Sequence, residues 1–357
     1  MELLPKGNKT ENMRMTRREL LAGLLAAPTL AEARSRLSVP KDLRTPYKLE
    51  RFVIGPSHQP GSFDEKSADV PFVFRHQGVF YMTYVGFDGV GYQTGLASSR
   101  DLQNWRREGV ILKRNPASPV IRYNVALTWI LRENNVFGPG ELKKVRGRYL
   151  GLYNAEPGSG YEQGPGVIGL CWSRDLRNWE VEPPCLRPED GAAWEHAGLY
   201  KACILEENGR YHIFYNAKNR PVHWHEQTGI ATSRDLKTWV RDPHNPILRN
   251  GPPGSDDEYF ASDPCVLKYR KEWPIFYYGL GPKFIARDLL ALSPNLVTVR
   301  KCAGVLIDVG PKGSIDSMFA HKPSIISHAG VLYHFYCAVS KEFGRGISVA
   351  RSRPWKT

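Results

Sequence analysis

Ser99-Arg100-Asp101-Leu102-Gln103-Asn104-Trp105 returns as Ser173-Arg174-Asp175-Leu176-Arg177-Asn178-Trp179 and again as Ser233-Arg234-Asp235-Leu236-Lys237-Thr238-Trp239. Each copy follows a glycine-hydrophobe pair at one offset: Gly95-Leu96, Gly169-Leu170 and Gly229-Ile230. Two decayed copies come later. One is Ser293-Pro294-Asn295-Leu296, with Val299 in the tryptophan position; the other is Gly346-Ile347 leading into Ser352-Arg353-Pro354-Trp355. The five serines lie 74, 60, 60 and 59 residues apart. Near-equal periods of this length mark a repeat architecture in which each unit is one supersecondary element.

Upstream of each phrase lies a short apolar strand, a tight turn and an aromatic strand. Unit one reads Asp69-Val70-Pro71-Phe72-Val73-Phe74, turns at Gln77-Gly78 and resumes with Val79-Phe80-Tyr81-Met82-Thr83-Tyr84. Units two, three and five turn at Arg146-Gly147, Asn208-Gly209 and Ala329-Gly330; in unit four Lys271-Glu272 stands in that place. Glycine there supplies a positive φ cheaply, and β-branched and aromatic flanks mark the strands. Each unit therefore predicts two hairpin strands, a Gly-hydrophobe strand, a turn made by the repeated phrase, and an outer strand such as Val110-Ile111-Leu112. That is a four-stranded antiparallel blade, and the expected fold is an all-β, five-bladed β-propeller. The Ser and Asp of the phrase are expected to cap their turn through backbone N–H groups, its Leu and Trp to pack between blades. The last unit lacks an outer strand, which Arg51-Phe52-Val53-Ile54 is expected to supply.

The N-terminus reads as a targeting segment. Thr16-Arg17-Arg18-Glu19-Leu20-Leu21, an apolar run to Ala27 and the small-residue site Ala31-Glu32-Ala33 resemble a twin-arginine export signal over residues 1–33. A linker over 34–44 and one propeller over 45–357 complete the expected organisation, with export to a bacterial periplasm or beyond. No later segment is apolar and long enough to span a bilayer as a helix. The formal charge of +13 is scattered rather than clustered and no nucleic-acid motif accompanies it. A solvated basic surface is one reading, and an acidic polysaccharide, phosphate or envelope surface as partner is the other. Of six cysteines, Cys171, Cys203, Cys265 and Cys337 lie in expected strands beside apolar residues, without CxxC or zinc spacing, and the set reads as mostly reduced core thiols. No cofactor is expected, and no metal beyond a structural channel ion such as calcium held by His321 and Asp263. Oligomeric state is left open.

Innermost strands of a propeller line its channel, so their first residues converge at one mouth. Nine residues before each turn glycine stand Asp69, Gly138, Tyr200 and His321, and the same count from Glu272 gives Asp263. The next positions carry Val70, Pro139, Lys201, Pro264 and Lys322. A position that alternates between glycine and ionisable types, among apolar neighbours, is the pattern of a site built on a rigid frame.

On the five-unit layout, the repeated phrase, and the openings Ala68-Asp69-x-Pro71 and Ser262-Asp263-Pro264, residues 50–355 resemble the five-bladed β-propeller glycoside hydrolases. These are family 43 and its relatives in families 32, 62, 117 and 130. The resemblance implies an inverting glycosidase acting on a carbohydrate, with Asp69 as base and Asp263 as a second, pKa-setting carboxylate. The slot that holds the family 43 acid carries Tyr200-Lys201 here. The acid is then Glu195, whose pKa Trp194 would raise, or His321, the position family 117-like enzymes use; Glu141 is a third candidate. His196, Tyr200, Lys201 and Lys322 are expected to bind sugar hydroxyls or a substrate carboxylate, and Trp129, Tyr92, Trp224 and Tyr259 to stack on sugar rings. Two other readings stay open. One is a phosphorylase resembling family 130, with Lys201, Lys322 and Arg345 around phosphate. The other is a non-catalytic carbohydrate-binding propeller.

Overall fold

The computed structural model describes residues 37–355 of the chain. Its strands form five antiparallel groups in chain order. Unit one comprises Ser67–His76, Val79–Phe87, Tyr92–Ser99 and Arg106–Leu112. Unit two comprises Ala126–Ile130, Arg148–Ala155, Val167–Ser173 and Glu180–Leu186. Unit three is Gly198–Glu207, Arg210–Lys218, Glu226–Ser233 and Val240–Arg241, and unit four Phe260–Val266, Trp273–Leu280, Ala286–Ser293 and Arg300–Ala303. Unit five holds Phe319–His328, Val331–Ser340 and Gly344–Arg351. Its fourth place is taken by Tyr47–Lys48, antiparallel to Ala350 and Arg351, and Ile54 lies opposite Ile347. The expected outer strand thus comes from residues 47–54, beginning a little earlier than Arg51. Leu37–Ser38 pairs in parallel with Cys302–Ala303 and Leu43 is buried, so this stretch packs against the repeats. Residues 1–33, read above as an export signal, lie outside those described.

The repeated phrase is scaffold. Asp101 Oδ1 accepts the backbone N–H groups of Gln103 and Asn104 at 2.9 and 2.7 Å, and Ser99 Oγ accepts that of Leu102 at 2.9 Å. Asp175 and Asp235 repeat the arrangement, and Asn295 replaces the aspartate in unit four. The leucine of each phrase takes a left-handed backbone: φ is 62, 65, 66 and 72° at Leu102, Leu176, Leu236 and Leu296. That conformation costs a residue with a β-carbon about 1–2 kcal/mol. All four leucines are buried, and burying one contributes about 1.5–3 kcal/mol, so packing wins.

A second repeat lies in the second strands. Tyr84, Tyr215, Tyr277 and Tyr336 each donate a hydrogen bond of 2.9–3.0 Å to a carboxylate twenty residues earlier: Asp64, Glu195, Asp257 and Asp316. In unit two Tyr153 donates to the backbone carbonyl of Glu182 instead. The hydroxyl needs a buried partner, and the preceding loop supplies one.

The first strands share a bulge near their start. Pairing skips between Asp69 and Phe72, Leu127 and Trp129, Tyr200 and Ala202, Ser262 and Cys265, and His321 and Ser324. Val70, Asp263 and Lys322 inside these bulges have φ of 48, 55 and 66°. A bulge re-aims the side chains on either side of the extra residue. These registers correct two sequence-based alignments. Unit two's first strand is Ala126–Ile130, and residues 131–147 carry an insertion between the hairpin strands, which accounts for most of its longer period. In unit four Tyr269 pairs with Glu272 and Arg270 has φ 56°, so the turn is Arg270-Lys271. Counting back from Lys271 reaches Ser262. Asp263 therefore shares its position with Val70 and Lys322, one residue beyond Asp69 and His321.

Candidate active site

In an antiparallel meander the first strand's start, the second strand's end and the third strand's start lie at the same end. The charged residues collect there. Asp69, Tyr200, Lys201, Asp263, His321 and Lys322 come from first strands, Lys218 and Glu156 from the ends of second strands, Glu226 and Arg345 from third-strand starts. The loop between the second and third strands of unit two adds Tyr161 and Glu162.

Asp69 is fully buried. Its Oδ2 accepts hydrogen bonds from Tyr161 Oη at 2.7 Å, Arg345 Nη1 at 2.7 Å and Lys322 Nζ at 2.9 Å, and its Oδ1 accepts Val70 N–H at 2.8 Å. Burial works to raise its pKa, but Lys322 and Arg345 outweigh it and hold the carboxyl well below the usual range. Burial, then the same two cations, press His321 well below an ordinary imidazole. His321 Nδ1 lies 3.1 Å from the Cys337 carbonyl, which can only accept. The neutral ring therefore carries its proton on Nδ1 and leaves Nε2 as a bare acceptor. This arrangement does not fit the acid role expected for His321.

Glu156 and Glu226 sit in contrasting surroundings. Glu156 Oε1 accepts from Asn154 Nδ2 at 2.7 Å, while Oε2 is buried without a hydrogen-bond partner among the described residues. Burial and the nearby charge of Glu162 push its pKa up to about 8. Glu226 Oε1 accepts from Trp224 Nε1 at 2.7 Å; its Oε2 accepts from Ser262 Oγ at 2.8 Å and Asn216 Nδ2 at 3.0 Å. With Tyr278 Oη at 3.5 Å from Oε2, four donors converge on one carboxylate. Lys218, paired in register with Glu226, places its ammonium 3.8 Å from the Tyr200 ring centroid and 4.7 Å from that of Trp224. Asp263 Oδ2 and Lys201 Nζ are buried without hydrogen-bond partners among the described residues. Burial pushes the Asp263 carboxyl up to about 7 against the pull of Lys201 and Lys322.

The remaining sequence candidates lie elsewhere. Glu195 is unit three's member of the tyrosine clasp, held by Tyr215 at 3.0 Å and by Arg241 Nε at 2.8 Å, and so takes the structural place of Asp64, Asp257 and Asp316. Glu195→Gln is expected to keep turnover and to lower stability by about 1–3 kcal/mol, read by thermal melting beside an activity assay. His196 is exposed beside Gly191. Glu141 lies 3.6 Å from Arg75, at the hairpin end of unit one's first strand, because its segment is the unit-two insertion. Trp129 is a core residue against Phe72, and Tyr92 is buried against Phe87 and Tyr161. Trp224 reaches the site through Glu226, and Tyr259 stacks on His225.

Glu156, Glu226 and Arg345 belong to positions that the repeats could have exposed. Three residues after the clasp tyrosine stand Phe87, Glu156, Lys218, Leu280 and Val339. Seven residues before the repeated serine stand Tyr92, Gly166, Glu226, Ala286 and Arg345. Charge breaks into an otherwise apolar or small series at both.

Residues 133–282 match the family model of the glycosyl hydrolases family 32 N-terminal domain. The solved BT0996 complex with RGII is 31% identical, with 88% of this chain and 93% of that one covered and a TM-score of 0.77. A solved structure named Glycoside hydrolase is 27% identical, with 96% and 97% covered and a TM-score of 0.76. A 1,2-beta-oligomannan phosphorylase of Thermoanaerobacter sp. (strain X514) is 26% identical over 158 residues, 43% of this chain and 44% of that protein. The chain thus spans less than half the length of this curated relative. With one relative above 30% identity matched along nearly its whole length, and the family model agreeing, the chain belongs to the five-bladed β-propeller glycoside hydrolases.

Proposed function

We propose that the protein is an exported glycosidase whose five units close into a ring, with hydrolysis at the mouth of the central funnel. The observation that carries this reading is the pairing of a buried, proton-retaining Glu156 with a donor-surrounded Glu226 in one cluster. Two carboxyl groups whose environments differ in this way divide the work of glycoside cleavage. Glu156 protonates the leaving oxygen, and Glu226 activates the water that inverts the anomeric centre. Asp69 anchors Lys322 and Arg345 and is too heavily engaged to take a proton. Export rests on the twin-arginine pattern Arg17-Arg18 and the apolar run behind it.

The test is reducing-sugar release across plant and bacterial glycans in phosphate-free buffer. Glu226→Gln is expected to lower kcat by roughly 10²–10⁴-fold, the contribution of a positioned general base. Unchanged turnover in that variant would remove Glu226 from the reaction. NMR of the first-formed anomer reads the stereochemistry. Phosphorolysis is the second reading, supported by the oligomannan phosphorylase likeness and by the ammonium of Lys201, which has no hydrogen-bond partner among the described residues. A strict phosphate requirement for turnover would decide for it. Glycan binding by the wild-type protein without any turnover would favour a binding propeller.

A further inference from the structure

The site holds more buried cations than a neutral sugar requires. Lys201, Lys218 and Lys322 are all buried, and Arg345 is largely so. Burying an ammonium costs several kcal/mol unless an anion answers it. Asp69 answers Lys322 and Arg345 at 2.9 and 2.7 Å. Glu162 answers differently. Its Oε2 lies 3.6 Å from Lys218 and its Oε1 3.7 Å from Lys322, ion-pair separations beyond hydrogen-bond reach.

Glu162 is also the most exposed carboxylate of the cluster. Its side chain is 27% exposed, against 0% for Asp69. It sits on the loop Pro157-Gly158-Ser159-Gly160-Tyr161-Glu162-Gln163-Gly164-Pro165, and its own backbone is left-handed at φ 50°. A non-glycine residue held there is strained and persists through its surroundings. Those surroundings hold the residues beside it: Gly160 N–H bonds the Val90 carbonyl, Asn124 Nδ2 the Gly158 carbonyl and Tyr200 Oη the Gly164 carbonyl, while Tyr161 reaches Asp69 and packs on Phe87 and Tyr92. The Glu162 carboxylate itself has only the two long ion pairs among the described residues. A carboxylate bridging two lysines loosely, from a strained and partly exposed loop tip, is an anion that another carboxylate can replace.

Resting on the hydrolase reading above, we propose that Glu162 holds the place of a substrate carboxylate, and that the saccharide cleaved here carries a uronate beside the scissile bond. The incoming carboxylate bridges Lys218 and Lys322 as the Glu162 side chain swings out, Tyr161 staying on Asp69. Lys201, whose ammonium has no hydrogen-bond partner among the described residues, lies among the same groups and takes a sugar hydroxyl or the second carboxylate oxygen. Specificity then comes from a cation pair that neutral sugars leave unanswered.

The experiment compares D-glucuronate and D-galacturonate with D-glucose and D-galactose by ligand-observed NMR and calorimetry, on the full chain. Glu162→Gln is expected to tighten uronate binding by roughly tenfold, because the competing internal anion is gone and the open state is more populated. Neutral sugars are expected to show no gain. Adding Lys218→Met to Glu162→Gln is expected to abolish the uronate gain. Equal binding of neutral and acidic sugars, or weaker uronate binding in Glu162→Gln, would overturn the proposal. Inorganic phosphate binding tighter than either uronate would overturn it in favour of a phosphate site. The two readings fail separately. Glu226→Gln is expected to lose turnover and keep uronate binding, so lost acid selectivity with intact Glu226 dependence sinks only the substrate class. Turnover indifferent to Glu226→Gln sinks the hydrolase assignment while uronate binding stands.

Discussion

Asp69→Asn is expected to destabilise the protein by about 3–5 kcal/mol and to abolish turnover with it. The carboxylate neutralises Lys322 and Arg345 in a site where all three are buried or nearly so, and removing one partner leaves buried charge without compensation. A base acting on water would leave another signature: lost turnover at nearly unchanged stability. Urea midpoints of wild type and Asp69→Asn separate the two. Adding Lys322→Met to Asp69→Asn is expected to recover part of the lost stability, since it removes the stranded cation. The pH dependence has a definite sign. Asp69 has its folded pKa depressed below 3.8, so its stabilisation is present above the unfolded value and is lost as pH falls below about 4 through the folded one. The wild type is expected to lose stability across that acid window, and Asp69→Asn to lack that part of the slope. A variant that melts with the wild type but has lost its turnover would restore Asp69 as the base.

The scaffold was legible because its chemistry is repeated. Ser99, Asp101, Leu102 and Trp105 recur with their spacing because each blade must close the same turn, and the side-chain bonds that close it are local. The Asp69 position was legible for a related reason: the first-strand bulge recurs, so counting from a turn finds it. Counting failed where the local geometry departed from the repeat. An insertion separates Trp129 from Tyr149 in unit two, and the unit-four turn slipped by one residue because it lacks glycine. Burial raises the Glu195 carboxyl, as a neighbouring tryptophan suggests, but its equivalence to Asp64, Asp257 and Asp316 shows in the tyrosine bonds. Glu162 was beyond reach. Nothing in a glycine-rich loop reports that its tip meets Lys322, far along the chain.

Glu156→Gln is expected to lower kcat by roughly 10²–10⁴-fold on an unactivated glycoside, the usual contribution of a positioned general acid. The loss should shrink on an aryl glycoside whose leaving group departs without protonation. With the folded pKa near 8, the wild-type rate should fall above about pH 8 as the acid loses its proton, and that limb should vanish in the variant. Stability moves the same way for a separate reason. Between the ordinary value of 4.5 and about 8 the folded state holds a proton that the unfolded chain has released. The native form therefore binds more protons, and stability declines as pH rises through that window. Glutamine keeps the donor to the leaving side and cannot ionise, so Glu156→Gln should gain stability relative to wild type as pH climbs from about 5 to 8. A glutamate that is buried but catalytically inert would keep the stability effect and lack both the alkaline limb of the rate and the dependence on leaving group. An unaltered alkaline limb in the variant, or equal losses on aryl and alkyl glycosides, would take the acid role away from Glu156. The stability arm would still report whether its carboxyl is buried protonated, which separates the electrostatics of the pocket from the chemistry assigned to it.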